Sequence, residues 1–120
     1  IVSTVGCDKD GNIYNINADT AAAQIAGKMQ AESLIMMTDI SGICTDKDNP
    51  DTLIPEIRMS EAENLMKTGV ISGGMIPKAQ CCIDAIHDGV QKVFIIDGRI
   101  PHAIIIETLT DEGIGTMFIE

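Results

Sequence analysis

The 120 residues predict a single α/β domain of three layers, helices on both faces of a mostly parallel sheet. Two patterns carry that reading. Apolar runs of strand length alternate with amphipathic stretches of helix length, as in successive βαβ units. Hydrophobic residues form 45% of the chain and aromatics only 2%, so the core is built of Ile, Leu, Val, Met and Ala, which suits a parallel sheet buried on both faces. The length is that of one domain with a substantial core, and its crossovers are expected to be right-handed.

In chain order, residues 1–5 read as a short strand, Cys7-Asp8-Lys9-Asp10-Gly11-Asn12 as a turn, and residues 13–16 as a second extended piece. A helix is predicted over residues 17–30, with Ala22, Ile25, Ala26 and Met29 on one apolar face. Leu34-Ile35-Met36-Met37-Thr38 reads as a central parallel strand that ends in the polar, flexible Asp39-Ile40-Ser41-Gly42, where ligands collect in open α/β sheets. Residues 45–51 form a solvated loop whose three aspartates lack the spacing of a calcium loop, and residues 53–59 return extended. Ser60 and Glu63 form a capping box that opens a short helix ending near Gly69. Pro77 sits in the first turn of the next helix, which carries Ala79, Cys82, Ile83 and Ile86 inward as far as Gly89. Val93-Phe94-Ile95-Ile96 is a buried strand, Pro101 starts a helix through Leu109, and residues 117–119 form the last strand.

A net charge of −10 excludes nucleic acid and anionic membranes as partners. Cys7, Cys44, Cys81 and Cys82 show neither C-x-x-C spacing nor a Cys/His cluster, so no metal site is expected and a reducing, cytoplasmic location fits. No apolar run is long enough to span a bilayer. The chain opens without Met inside an apolar run and reads as part of something longer. Met36, Met37, Met66 and Met75 read as core filler and His87 as a surface residue.

Two stretches carry chemistry. In Asn15-Ile16-Asn17-Ala18-Asp19, three polar residues alternate where an extended segment meets an alanine-rich helix. One of them is enough to cap the helix; together they make a polar cluster at a positive helix end. In Gly73-Gly74-Met75-Ile76-Pro77-Lys78, paired glycines feed a helix with a lysine in its first turn. That suits phosphate, and it equally suits a structural turn with a solvent lysine. It is no P-loop, because G-x-x-x-x-G-K-[ST] is absent.

Tyr14-Asn15-Ile16-Asn17-Ala18-Asp19, Thr38-Asp39-Ile40-Ser41-Gly42, the Gly73–Lys78 stretch and Gly113-Ile114-Gly115-Thr116 together resemble the C-terminal, nucleotide-binding half of the acetylglutamate kinases, within the amino-acid kinase family. The resemblance runs over essentially the whole chain. It implies an αβα sandwich of the carbamate kinase-like type, of which residues 1–120 are the ATP-binding lobe. It implies phosphorylation of the side-chain carboxylate of N-acetyl-L-glutamate by ATP with Mg2+, in arginine biosynthesis. By the same resemblance Asn15 and Asn17 flank the substrate, Asp19 orients the catalytic lysines, and Lys78 stabilises the transferring phosphoryl group. Thr38, Asp39, Gly42, Gly74 and Met75 lie by the nucleotide. Lys67, His102, Glu107, Gly113 and Gly115 match the feedback site of arginine-inhibited members. The family's N-terminal half carries a glycine-rich loop, a further lysine and a substrate-gripping arginine. None of these is in the present residues, so the lobe alone is expected to bind ATP at best. The full-length enzyme is expected to be a homo-oligomer.

The chemistry accords with those roles. A carboxylate nucleophile is ionised at neutral pH, with an ordinary pKa of about 4.3, so no general base is needed. Repulsion between an anionic acceptor and ATP must be suppressed instead, by positioning and cationic charge. Two readings remain beside it: another amino-acid kinase acting on aspartate, glutamate, carbamate or a nucleoside monophosphate, and a non-catalytic module that binds arginine or nucleotide.

Overall fold

A computed structural model describes residues 1–120. A small antiparallel hairpin comes first, β1 (Val5–Cys7) against β2 (Ile13–Asn15), with Gly6 opposite Tyr14. The first strand therefore begins at Val5 rather than ending there. The turn explains the shift: the Asp8 carboxylate accepts from the Asp10 and Asn12 backbone N–H groups, from the Asn12 amide and from the Tyr14 hydroxyl. That closes the loop at Asp8 and fixes which residues pair. The four donors, the Asn12 side chain foremost, hold the Asp8 carboxyl down at about 2.

The main sheet has four strands in the order β3 (Ser33–Thr38), β5 (Lys92–Asp97), β6 (Thr116–Ile119), β4 (Glu56–Arg58). β3 runs parallel to β5 and β4 parallel to β6, while β5 and β6 are antiparallel. The predicted mostly parallel α/β sheet is thus present, with one difference. β3 is an edge strand, not a central one, and Met37 is 52% exposed while Met36 is buried. The apolar run that marks a strand carries no information about which neighbours it acquires.

Helices α1 (Ala18–Met29) and α3 (Met75–His87) pack on each other and on the sheet, with α2 (Met59–Lys67) beside α3 and β4. Alternation along β5 points Val93 and Ile95 to this side, where they join Ala23, Ala26, Cys82 and Ala85 in the core. Ile96 is fully buried outside that cluster, as is Ala103 of α4 (Ala103–Leu109), the helix that leans on β5. α4 thus supplies the third layer, on the opposite face.

α1 buries Ala23, Ala26 and Gly27 rather than the face that includes Ile25 and Met29, which are 39% and 74% exposed. Small residues win here because α3 comes close: a Cβ on Gly27 would meet the Asp88 Cβ at 2.7 Å. At the start of α2 the capping pair lies two residues earlier than expected. The helix begins at Met59, and the Glu61 carboxylate accepts from the Arg58 backbone N–H. No helix is long and apolar enough to cross a membrane.

Candidate functional site

Short turns after α1 and α3 return the chain into β3 and β5, so both helix N-termini lie at the carboxyl ends of those strands. This is where open α/β sheets hold ligands. Asn17 caps α1, its Oδ1 accepting from the Thr20 backbone N–H at 3.1 Å and from the Thr20 hydroxyl at 3.4 Å. The cap reading therefore holds for Asn17, while Asp19, in the first turn, faces away to α3. Asn15 ends β2 on the exposed surface.

Lys78, in the first turn of α3, donates from Nζ to Asp19 Oδ2 at 2.6 Å, the two side chains being 17% and 33% exposed. A lysine at the positive end of a helix is electrostatically misplaced. Asp19 offsets that cost from the neighbouring helix, where the dipole favours a carboxylate. The result is a fixed ammonium at the mouth of the sheet.

Beside this pair lies a cavity of about 360 Å³, within the size range of small-molecule sites. Ile40, Ile43, Val70 and Ile71 give it an apolar interior, and Asp39, Gly42 and Met75 also line it. Thr38 and Gly74 adjoin it without forming its wall; the Thr38 hydroxyl donates to Asp39 Oδ1 at 3.3 Å. Lys78 is not in the wall either, standing one turn along α3 from Met75. Gly42 has φ +148°, and a Cβ there would meet Thr116 Oγ1 at 2.6 Å. The loop after β3 is thus pressed against β6. The buried Thr116 hydroxyl fastens it, accepting from the Ile43 N–H and donating to the Ile54 carbonyl, both at 2.8 Å.

Two residues of this region lie outside the motifs: Asp97, 6% exposed at the end of β5, and Arg99, which lines the cavity. Arg99 donates from its backbone N and Nε to Asp97 Oδ1 at 2.9 Å, and from Nη2 to Oδ2 at 2.8 Å. Those hydrogen bonds pull the Asp97 carboxyl down to about 2 and push the Arg99 guanidinium up. An aspartate closing an apolar strand, two residues before an arginine, is the signal that could have found them. Lys47 also lines the cavity, so two of the eight cationic side chains of a chain with net charge −10 meet here.

The residues matched to a feedback site divide. His102, with φ +62°, precedes α4 and lines a shallow cleft with Met37, Gly98 and Ile104. Glu107 of α4 accepts from the Ile114 backbone N–H at 2.8 Å, tying the helix to the segment that holds Gly113 and Gly115. Gly115 has a packing reason of its own, since a Cβ would run into the Ile95 carbonyl oxygen. Lys67 stands apart: it pairs with Glu63 at 3.3 Å on α2, which packs on β4 and α3.

The profile of the amino acid kinase family matches residues 1–97. The acetylglutamate kinase of Brachyspira hyodysenteriae is 62% identical over 118 residues, covering 98% of this chain and 41% of that protein. That of Synechococcus sp. strain CC9311 is 50% identical over 117 residues, with the same coverage. The chain spans about 41% of the length of these curated relatives. Among solved structures, N-acetylglutamate synthase from Neisseria gonorrhoeae, complexed with coenzyme A and L-arginine, superposes with a TM-score of 0.87 at 28% identity, over 98% of this chain and 27% of that one. Carbamate kinase from Giardia lamblia bound to AMP-PNP gives 0.68 at 24% identity, over 96% and 36%, and shares the fold.

Proposed function

The chain belongs to the amino acid kinase family, and from that premise we propose that it is the nucleotide-binding lobe of an acetylglutamate kinase. It takes part in ATP-dependent phosphorylation of the side-chain carboxylate of N-acetyl-L-glutamate, in arginine biosynthesis. The observation that carries this is the Lys78–Asp19 pair, 2.6 Å long, beside a cavity at the strand ends. The names of its relatives supply the acceptor.

Lys78 stabilises the negative charge that spreads over the transferring phosphoryl oxygens. Asp19 keeps the ammonium in place, and Asn15 and Asn17 position the acyl amino acid at the opening of α1. Asp39, Gly42 and Met75 hold the nucleotide in the cavity, with Thr38 and Gly74 supporting its edges. The acceptor is already a carboxylate, so the protein removes no proton; its work is to bring two anions together. No group of three or more His, Cys, Asp or Glu side chains gathers here, and Asp19 is committed to Lys78. A magnesium ion arriving with ATP would be held mainly by the phosphates, where it would neutralise their charge. The four free cysteines accord with a reducing cytoplasm.

A chimera tests the reading. The residues that precede the matched region in the Brachyspira enzyme are joined to this chain, and acyl phosphate is trapped with hydroxylamine. Formation of the hydroxamate from ATP and N-acetylglutamate, and not from aspartate, glutamate or carbamate, is expected. An acceptor preference for any of those would overturn the assignment. The 120 residues alone are expected to give no turnover. L-arginine is expected to bind near His102 and Glu107, since the α4 tie to Ile114 gives that corner a defined shape. Calorimetry with arginine checks it.

A further inference from the structure

We propose that Arg99 is a further nucleotide-binding residue of the cavity, with its guanidinium laid against the base of the bound adenine nucleotide. The inference rests on the reading of that cavity as the nucleotide site. Three observations support it.

First, Arg99 lines the cavity although it lies outside every motif of the family resemblance. Second, it is held there. Nε and Nη2 are both spent on Asp97, with the Arg99 backbone N–H as a third tie, and Asp97 itself is 6% exposed at the end of a strand paired on both sides. The pairing uses one edge of the guanidinium and leaves its flat faces and Nη1 free, and the side chain as a whole is 68% exposed. A planar cation fixed on a rigid strand end has already lost the rotamer freedom that binding would otherwise cost. Third, the interior beside it is apolar, with Ile40, Ile43, Val70 and Ile71 in the wall. Such a slot takes a flat base, while Lys78 and the start of α3 stand outside it for the phosphates. Arginine stacks on aromatic faces in this geometry.

Asp97 neutralises Arg99, so Arg99 adds little long-range attraction for phosphate. What it offers is a polarisable plane, and that is worth as much to a monophosphate as to a triphosphate.

The test is calorimetric titration of the 120-residue chain with ATP, ADP and AMP, beside Arg99→Met and Arg99→Lys. Arg99→Lys keeps a cation near Asp97 and is expected to retain the thermal midpoint of the parent. It loses the plane, so both variants are expected to bind all three nucleotides more weakly by the same factor, roughly 5- to 30-fold. Parent-like affinity in Arg99→Lys would overturn the stacking role. A loss that grows with phosphate number would also overturn it, placing the guanidinium on the phosphates instead. If the parent chain binds none of the three, the nucleotide reading of the cavity fails and Arg99 falls with it. If the parent binds and Arg99→Met binds equally well, the cavity reading stands and only Arg99 is lost.

Discussion

Replacing Lys78 with alanine in the chimeric kinase isolates the charge on which the proposed mechanism depends. The ammonium is 17% exposed on its side chain and 2.6 Å from Asp19, so its surroundings are closer to a protein surface than to bulk water. Two unit charges about 4 Å apart interact by about 4 kcal/mol at an effective dielectric constant of about 20. Asp19 screens part of that field, which leaves about 3 kcal/mol for the charge developing on the phosphoryl group. This corresponds to a fall in kcat of a little over 10²-fold. The KM for ATP should move by less than about threefold, because Lys78 stands outside the cavity and its contribution is concentrated in the transition state. Hydroxamate trapping over a range of ATP concentrations separates the two parameters. Asp19→Asn keeps the lysine but frees it, and is expected to lose about tenfold in kcat, with Asp19→Glu recovering part of the loss. A Lys78→Ala enzyme with kcat within threefold of the parent would refute the reasoning.

Three further predictions concern the fold and its titration. Gly115→Ala drives a methyl group into the Ile95 carbonyl and the Ile96 side chain, both on the strand at the middle of the sheet; urea denaturation should show a loss of about 3 kcal/mol or failure to fold. The folded Asp97 carboxyl lies at about 2, below the ordinary 3.8, so the unfolded chain takes up its proton first as pH falls. The stability this pair contributes is therefore present in full above about pH 4 and fades as pH approaches about 2. Asp8 follows the same sense, and the double variant Asp8→Asn, Asp97→Asn should show a visibly flatter decline in urea midpoint between pH 5 and pH 2, which titration across that interval reads directly. Burial pushes the Cys82 thiol up to about 12, so iodoacetamide should label exposed Cys7 within minutes and leave Cys82 untouched until the chain unfolds, as peptide mass mapping would reveal.

Local signals make some parts of this molecule legible and leave others dark. β5 and α3 are where the apolar run and the glycine-bounded helix put them, because a continuous Val-Phe-Ile-Ile run and a Gly74-to-Gly89 frame each have one reading. β3 is equally clear as a strand, yet its place at the edge is not, because strand order is decided by contacts about sixty residues away. The buried face of α1 departs from the periodic one because in an alanine-rich helix close approach to α3 outweighs side-chain size. Glu63 is the better capping partner than Glu61 only while the helix start is unknown. At the site, Lys78 and Asp19 stand out through motif resemblance, but their mutual contact requires two helices to arrive side by side. Asp97 and Arg99 look in the sequence like an ordinary strand-end turn, because burial of the aspartate comes from the sheet around it. Lys67 groups by family analogy with residues that this fold keeps on another helix.

The position of β6 in the sheet has a consequence for how the chain acquires its structure. β6 is the strand that joins the two halves, with β5 on one side and β4 on the other, and it lies at Thr116–Ile119. Ser33 must find Lys92, and Glu56 must find Met117. Closing each of these loops of about sixty residues costs roughly 3.6 kcal/mol of chain entropy beyond the length-independent part. During synthesis, β4 and its helix wait without a sheet partner until residue 119 has been made. Until then this lobe carries an unpaired strand and an incomplete core, so its folding is expected to be a late, concerted event and not a progressive one. Deletion of Thr116–Ile119 should therefore act on the whole lobe, turning it into a substrate for chaperones and proteases rather than a slightly shorter version of itself.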